Sequence, residues 1–290
     1  MGKKANYHVI AGAVLWGTVG LFVRDLYSAG LSTGQVVFLR IFVATVALLI
    51  FVIMTNPRLL VIKPHDIVYF MGTGILSVVF FNWCYFTSIQ HTSLAVAAIL
   101  LYTGPVFVVL LARIFFKENL TPDKIISLML ALAGISLVAG VGPDISRALS
   151  WKGLLIGLGS GVGYAFYSIF GKIAISKYHT LTVTTYTFFI AILVLGPTSQ
   201  IWEAGNLLFD PRVITVSLGL GLIPTVLAYL LYTSGLSGLE AGRAAIMATI
   251  EPVVAVLISL VVFKEIFSLS QGIGMAAILA AAWLAQHNRS

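Results

Sequence analysis

Residues 93–118 read SLAVAAILLYTGPVFVVLLARIFFKE, and residues 240–265 read EAGRAAIMATIEPVVAVLISLVVFKE. Each is an apolar run with one proline inside it, Pro105 or Pro252, and each ends on Phe-Lys-Glu. About 20 apolar residues in a helix cross the ~30 Å hydrocarbon core of a bilayer. Lipid offers the backbone no hydrogen-bonding partner, so only helices and closed barrels span it. Runs of this kind fill the chain, at about 8–28, 33–54, 66–87, 93–115, 122–141, 152–175, 181–200, 212–233, 240–262 and 269–287. The expected fold is an all-α integral membrane protein with ten transmembrane helices. Two helix starts carry their own signals. Thr121-Pro122 sets a capping hydroxyl before a proline, and Ser268 to Gln271 fits a capping box.

Composition agrees. Hydrophobic residues are 59% of the 290 and charged residues 9%, against about 25% charged in a soluble domain. Mean hydropathy is +1.04. The spans use up the length, which leaves no room for a soluble catalytic domain, and the expectation is no enzyme. The formal charge of +7 reports orientation rather than nucleic-acid binding. Ten basic residues, Arg289 included, fall on the side of the N-terminus and five, Arg147 included, on the other. That bias places both termini in the cytoplasm of a plasma (inner) membrane protein. The single cysteine, Cys84, forms no disulfide within the chain, and the five histidines show no metal-ligand spacing. No glycine loop for phosphate is present, and neither a metal nor another cofactor is expected. The bilayer itself and a small-molecule substrate are the expected partners.

The two quoted runs are copies. Tyr85, Ala97-Ala98-Ile99, Pro105 and Phe116-Lys117-Glu118 recur 147 positions later as Tyr232, Ala244-Ala245-Ile246, Pro252 and Phe263-Lys264-Glu265. Trp16-Gly17 matches Tyr164-Ala165 at a spacing of 148. Five spans per copy is an odd number, so the second copy enters the membrane upside down. The expected organisation is therefore two inverted five-helix repeats, 8–141 and 152–287. Secondary transporters use this plan, with the substrate held near the midplane between the repeats.

At these residues the chain resembles the drug/metabolite transporter superfamily, specifically its EamA-type family. The likeness rests on Leu15-Trp16-Gly17, Leu39-Arg40, Thr103-Gly104-Pro105 through Lys117-Glu118, and Ile250-Glu251-Pro252-Val253 through Lys264-Glu265. It covers about residues 8–286. The resemblance implies ten helices, a central cavity, and export or exchange of small metabolites, amino acids among them. Lys117 and Lys264 depart from the family's usual small residue before the terminal glutamate.

Charge within a span is costly and marks candidate function. Glu251 falls near the middle of the ninth span, directly before Pro252, which removes a backbone donor and disturbs the preceding turn. Its carboxylate suits a substrate amino group or a proton, so a proton is a candidate coupling ion. A glutamate fixing helix packing through a salt bridge is the alternative. Arg40 suits a substrate carboxylate, or else snorkels or pairs to orient its helix. Arg243, eight residues before Glu251, reads as an interfacial anchor on the same helix face. Pro105 and Pro252 are the expected helix breaks, with Gly104 in place of the glutamate in the first copy. Trp16, Asn82, Tyr102 and Tyr164 are the candidate cavity residues, since aromatic groups combine apolar area with a polar handle. Cationic drugs, nucleosides and other metabolites are rival cargoes, and a membrane receptor or scaffold is the rival of another class.

Overall fold

The computed structural model describes residues 2–140 and 150–287. The expected end of the fifth span at 141, together with Arg147 and Arg289, lies outside them. The described residues form ten helical passes and no strand. Four passes run unbroken or nearly so: α2 (Thr33–Thr55), α6 (Trp151–Ile175), α7 (Thr180–Thr198) and α10 (Leu269–His287). A fifth, α5 (Pro122–Val138), pairs along α10. The remaining five are interrupted, and their interruptions shape the centre of the molecule. Nine of the ten are long and apolar enough to cross a membrane. The exception, α5, has 17 described residues.

Helix α1 comprises Gly2–Gly17 and Val19–Ser28; α4 comprises Leu94–Leu101 and Gly104–Phe116; α9 comprises Ala241–Ala248 and Glu251–Val262. The α4 and α9 breaks fall where the sequence predicts them, just before Pro105 and Pro252. A proline at the start of a helix is harmless, because its missing N–H had no partner there. The α1 break has no proline. All three share one device: a threonine hydroxyl donates to the carbonyl three residues back. Thr18 reaches Leu15 at 2.7 Å, Thr103 reaches Leu100 at 2.6 Å, and Thr249 reaches Ile246 at 2.6 Å. Carbonyls at the breaks are thus taken up internally, which lipid demands.

Helix α3 (Ile67–Met71, Gly72–Val79, Phe80–His91) and helix α8 (Pro211–Gly221, Leu222–Leu227, Ala228–Ser237) each contain a wider, π-helical middle segment. The two wide segments overlap when the chain is shifted by 147 residues, so the repeat extends to helix distortions. In α8 the Thr225 hydroxyl donates five residues back, to Leu220, at 2.8 Å. Such segments commonly sit at functional sites.

Five buried clusters hold the described bundle, and three of them join most of its passes. Trp16, Val108, Tyr167, Tyr232, Leu236 and Ile246 join α1, α4, α6, α8 and α9. Val37, Leu48, Val78, Phe188 and Leu195 join α2, α3 and α7. Leu26, Val36 and Leu220 join α1, α2 and α8. Ile135 of α5, Val253 of α9 and Ile278 of α10 form a further cluster, beside which α5 and α10 meet backbone to backbone. A Cβ on Gly134 would stand 2.6 Å from the Gly274 carbonyl oxygen, and one on Gly274 would stand 2.5 Å from that of Gly134. Helices in lipid gain little from apolar burial against each other, so such close approach supplies the packing energy. Gly134→Leu or Gly274→Leu should push the pair apart and cost about 1–3 kcal/mol, as overpacking does. A fall in the thermal unfolding midpoint in detergent, larger than that of Gly20→Leu, checks this; Gly20 faces open space.

Following the passes places both termini on one side. That side also carries the α4–α5 and α8–α9 connections, and the α3–α4 and α9–α10 connections lie opposite.

Candidate functional site

Glu251 is the first residue of the second half of α9, immediately after the break. It lies in the middle of the pass and is half-buried. Its carboxylate interacts with the Tyr102 hydroxyl from the α4 break. Arg40 of α2 is within electrostatic range, but no ion pair within 4.0 Å joins the two among the described residues. The two opposite charges thus lie within range without closing on each other. Arg40 is held in place by its Nε, which donates to the Thr225 hydroxyl at 2.8 Å. Thr225 stands in the wide segment of α8, so the helix distortion positions the arginine. Among the described residues its other N–H groups have no hydrogen-bond partner.

Tyrosines gather around the carboxylate. Tyr85, Tyr164 and Tyr229 lie within electrostatic reach of Glu251. Tyr164 of α6 stands where a Cβ on Gly104 would meet its ring at 2.6 Å, so the glycine at the α4 break makes room for that ring. Trp16 sits behind, with ring centroids 5.2 Å from Tyr229 and 5.0 Å from Tyr232. Its buried indole N–H has no acceptor among the described residues. Tyr232 shares a 2.8 Å hydrogen bond with Ser168, and Tyr167 one of 2.6 Å with Thr233. These bonds satisfy buried hydroxyls and hold the aromatic group rigid. Gly17 brings α1 against the same point: a Cβ there would stand 2.8 Å from the Glu251 carbonyl oxygen.

Five of the six candidate binding residues thus converge: Glu251, Arg40, Tyr102, Tyr164 and, one layer back, Trp16. The Asn82 amide donates to Val78 of its own helix at 2.7 Å. Tyr229 and Thr225 are added by the structure. Tyr229 had no distinguishing signal among many span tyrosines. Arg243 does not share a continuous helix face with Glu251, because the break at Thr249 separates them. It caps the end of α10, donating to the Ala285 and Gln286 carbonyls at 3.0 and 2.9 Å. Among the described residues no cluster of His, Cys, Asp or Glu could hold a metal ion.

The EamA-like transporter family model matches residues 3–140 and 151–285, nearly the whole chain. The chain belongs to the EamA-like transporter family. It is therefore a multi-pass membrane transporter of the drug/metabolite type and not an enzyme. Among its EamA relatives is an uncharacterized transporter of Archaeoglobus fulgidus, 30% identical over 282 residues, covering 96% of this chain and 94% of that protein. The uncharacterized transporter YetK of Bacillus subtilis is 25% identical, over 90% of this chain and 79% of its own length. The threonine/homoserine exporter RhtA of Escherichia coli is 27% identical over 200 residues, 69% of this chain and 65% of RhtA. A protein crystal structure superimposes with a TM-score of 0.81 at 17% identity, covering 98% of this chain and 97% of that one. The EamA fold is thereby common to both.

Proposed function

We propose that this EamA transporter exports small amino acids by alternating access around the Glu251–Arg40 space. The observation that carries this is the unpaired approach of the two charges. A zwitterionic amino acid brings an ammonium for Glu251 and a carboxylate for Arg40. Arginine binds carboxylates through a planar fork of donors. Tyr102, Tyr164 and Tyr229 offer hydroxyls and ring faces for a short polar side chain. Similarity to a threonine/homoserine exporter supports the cargo class, and the inverted halves support alternating access. A cationic drug fits less well, because Arg40 would repel it. Phosphorylated cargo fits less well too, since Arg40 is the only deep cation near the site among the described residues. We place both termini in the cytoplasm of the plasma membrane, on the strength of the basic residues gathered on their side.

Thermal stabilisation tests the cargo class. A ligand at 100 times its Kd stabilises by about 2.7 kcal/mol. Threonine and homoserine should raise the unfolding midpoint of the purified protein, while their decarboxylated amines and deaminated acids should not. Equal stabilisation by the amine alone would favour cationic cargo. An epitope at the C-terminus should be reached by antibody only in permeabilised cells; labelling of intact cells would reverse the orientation.

A further inference from the structure

Glu118 closes α4 on the side of the termini, and its repeat partner Glu265 closes α9 on the other. Both follow a lysine in the left-handed conformation, Lys117 and Lys264, each with φ of 58°. Both backbone amides donate to the carbonyl six residues back, at 3.3 Å in each copy. The two turns are the same in shape, but their side chains do different things.

Glu118 is 8% exposed and reaches across to α9. Its Oε1 accepts from the Ala241 amide at 2.6 Å and its Oε2 from the Gly242 amide at 3.1 Å. These are the first two amides of α9, which have no partner within the helix. Lys124 adds ion pairs to Glu118 at 3.4 Å and to Glu240 at 3.0 Å while only 4% exposed itself. Lys172 of α6 stands beside them and donates to the Leu236 and Leu239 carbonyls at the end of α8. A groove of about 450 Å³ lined by Lys117, Glu118, Lys172 and Glu240 runs outside this knot. The end of α4 in one repeat is thereby bolted to the start of α9 in the other.

The repeat predicts a mirror contact from Glu265 to the amides of Leu94 and Ala95, which stand 147 positions before Ala241 and Gly242. That contact is not made. Glu265 bonds to Ser259 of its own helix and to Arg24 at 3.4 Å, both ion-pair partners being well over half exposed. Among the described residues no side chain takes the amides of Leu94 and Ala95; the start of α4 has only Ser93, which accepts from Val96 at 3.2 Å. Leu94 is 63% exposed and Ile266 95%.

We infer that Glu118 and Glu265 are alternating helix caps, the two gates of the transport cycle. In the conformation described here, Glu118 seals the side of the termini and Glu265 is released, leaving the Glu251 space to open on the far side. In the opposite conformation Glu118 lets go of Ala241 and Gly242, and Glu265 takes Leu94 and Ala95. The inference rests on the alternating-access reading above but needs no particular cargo.

Spin-label distances test it without any solute. The protein has one cysteine, buried Cys84, so a Cys84→Ala background is practical. One pair, Asn119→Cys with Ser237→Cys, reads the side of the termini. A second pair, Leu94→Cys with Ile266→Cys, reads the far side. In the parent the first distance should be short and the second long. Glu118→Gln gives up the charge on two amide bonds, each worth about tenfold or more in an equilibrium. The first pair should lengthen and the second shorten, with the population ratio shifting at least tenfold. Adding Glu265→Gln should stop the second pair from shortening; Glu265 is exposed, so this change does not threaten folding. Circular dichroism establishes that each variant is folded. The inference is overturned if folded Glu118→Gln leaves both distances unchanged, or if the double variant closes the far side as fully as the single one. If the two distances move independently of each other in every variant, alternating access itself fails.

Discussion

Glu251→Gln is expected to abolish counterflow, with uptake of labelled threonine into preloaded liposomes falling by roughly 10² or more, to the level of empty vesicles. Glutamine keeps the size of the side chain and a group for the Tyr102 hydroxyl, so folding should survive. What it loses is the negative charge that a substrate ammonium requires in a space poorly screened by water. A hydrogen bond to a charged group contributes about 1.5–3 kcal/mol, and leaving the cargo's ammonium unpaired at this depth adds to that. Glu251→Asp keeps the charge but withdraws it by one methylene, and should restore part of the flux. Unchanged flux in a folded Glu251→Gln protein would assign this residue to helix packing.

Arg40→Gln is expected to raise the KM for zwitterionic amino acids roughly hundredfold. That follows from losing up to two charge-assisted bonds to a carboxylate, at 1.4 kcal/mol per factor of ten. Glutamine can still bond to Thr225, which holds the Arg40 Nε at 2.8 Å, so the α2–α8 contact should persist. The variant should also change in kind. With Glu251 no longer opposed, the decarboxylated amine of the same side chain should become a competitor where it was none in wild type. Competition assays with threonine and its amine read both effects. Equal losses for both compounds would mean that Arg40 only positions helices.

The apolar runs and the Phe-Lys-Glu duplication made the ten passes and their inversion legible, because span length and an odd repeat number leave little choice of topology. Pro105 and Pro252 announced two helix breaks, since proline's effect on a helix is local and steric. The third break, at Thr18, was hidden: its only marker is a threonine whose hydroxyl bonds back three residues, and threonines are common in these spans. The wide segments of α3 and α8 left no trace beyond Pro224, though one of them sets the position of Arg40. Glu251 and Arg40 stood out because a charge within a span is rare. Tyr229 did not, because sequence gives no measure of depth among so many tyrosines. Glu118 stands in the sequence as a mere span end; its partners on α9 lie 123 and 124 residues away, and no local pattern carries such a contact.

The most direct measurement is counterflow by the wild-type protein. Liposomes holding the purified transporter are preloaded with unlabelled threonine and homoserine, and trace labelled threonine is added outside. The account predicts a transient accumulation of label above its equilibrium level, because one site exchanges internal for external amino acid. Label that only leaks in at the rate of protein-free vesicles, for these and every other amino acid tried, would contradict it.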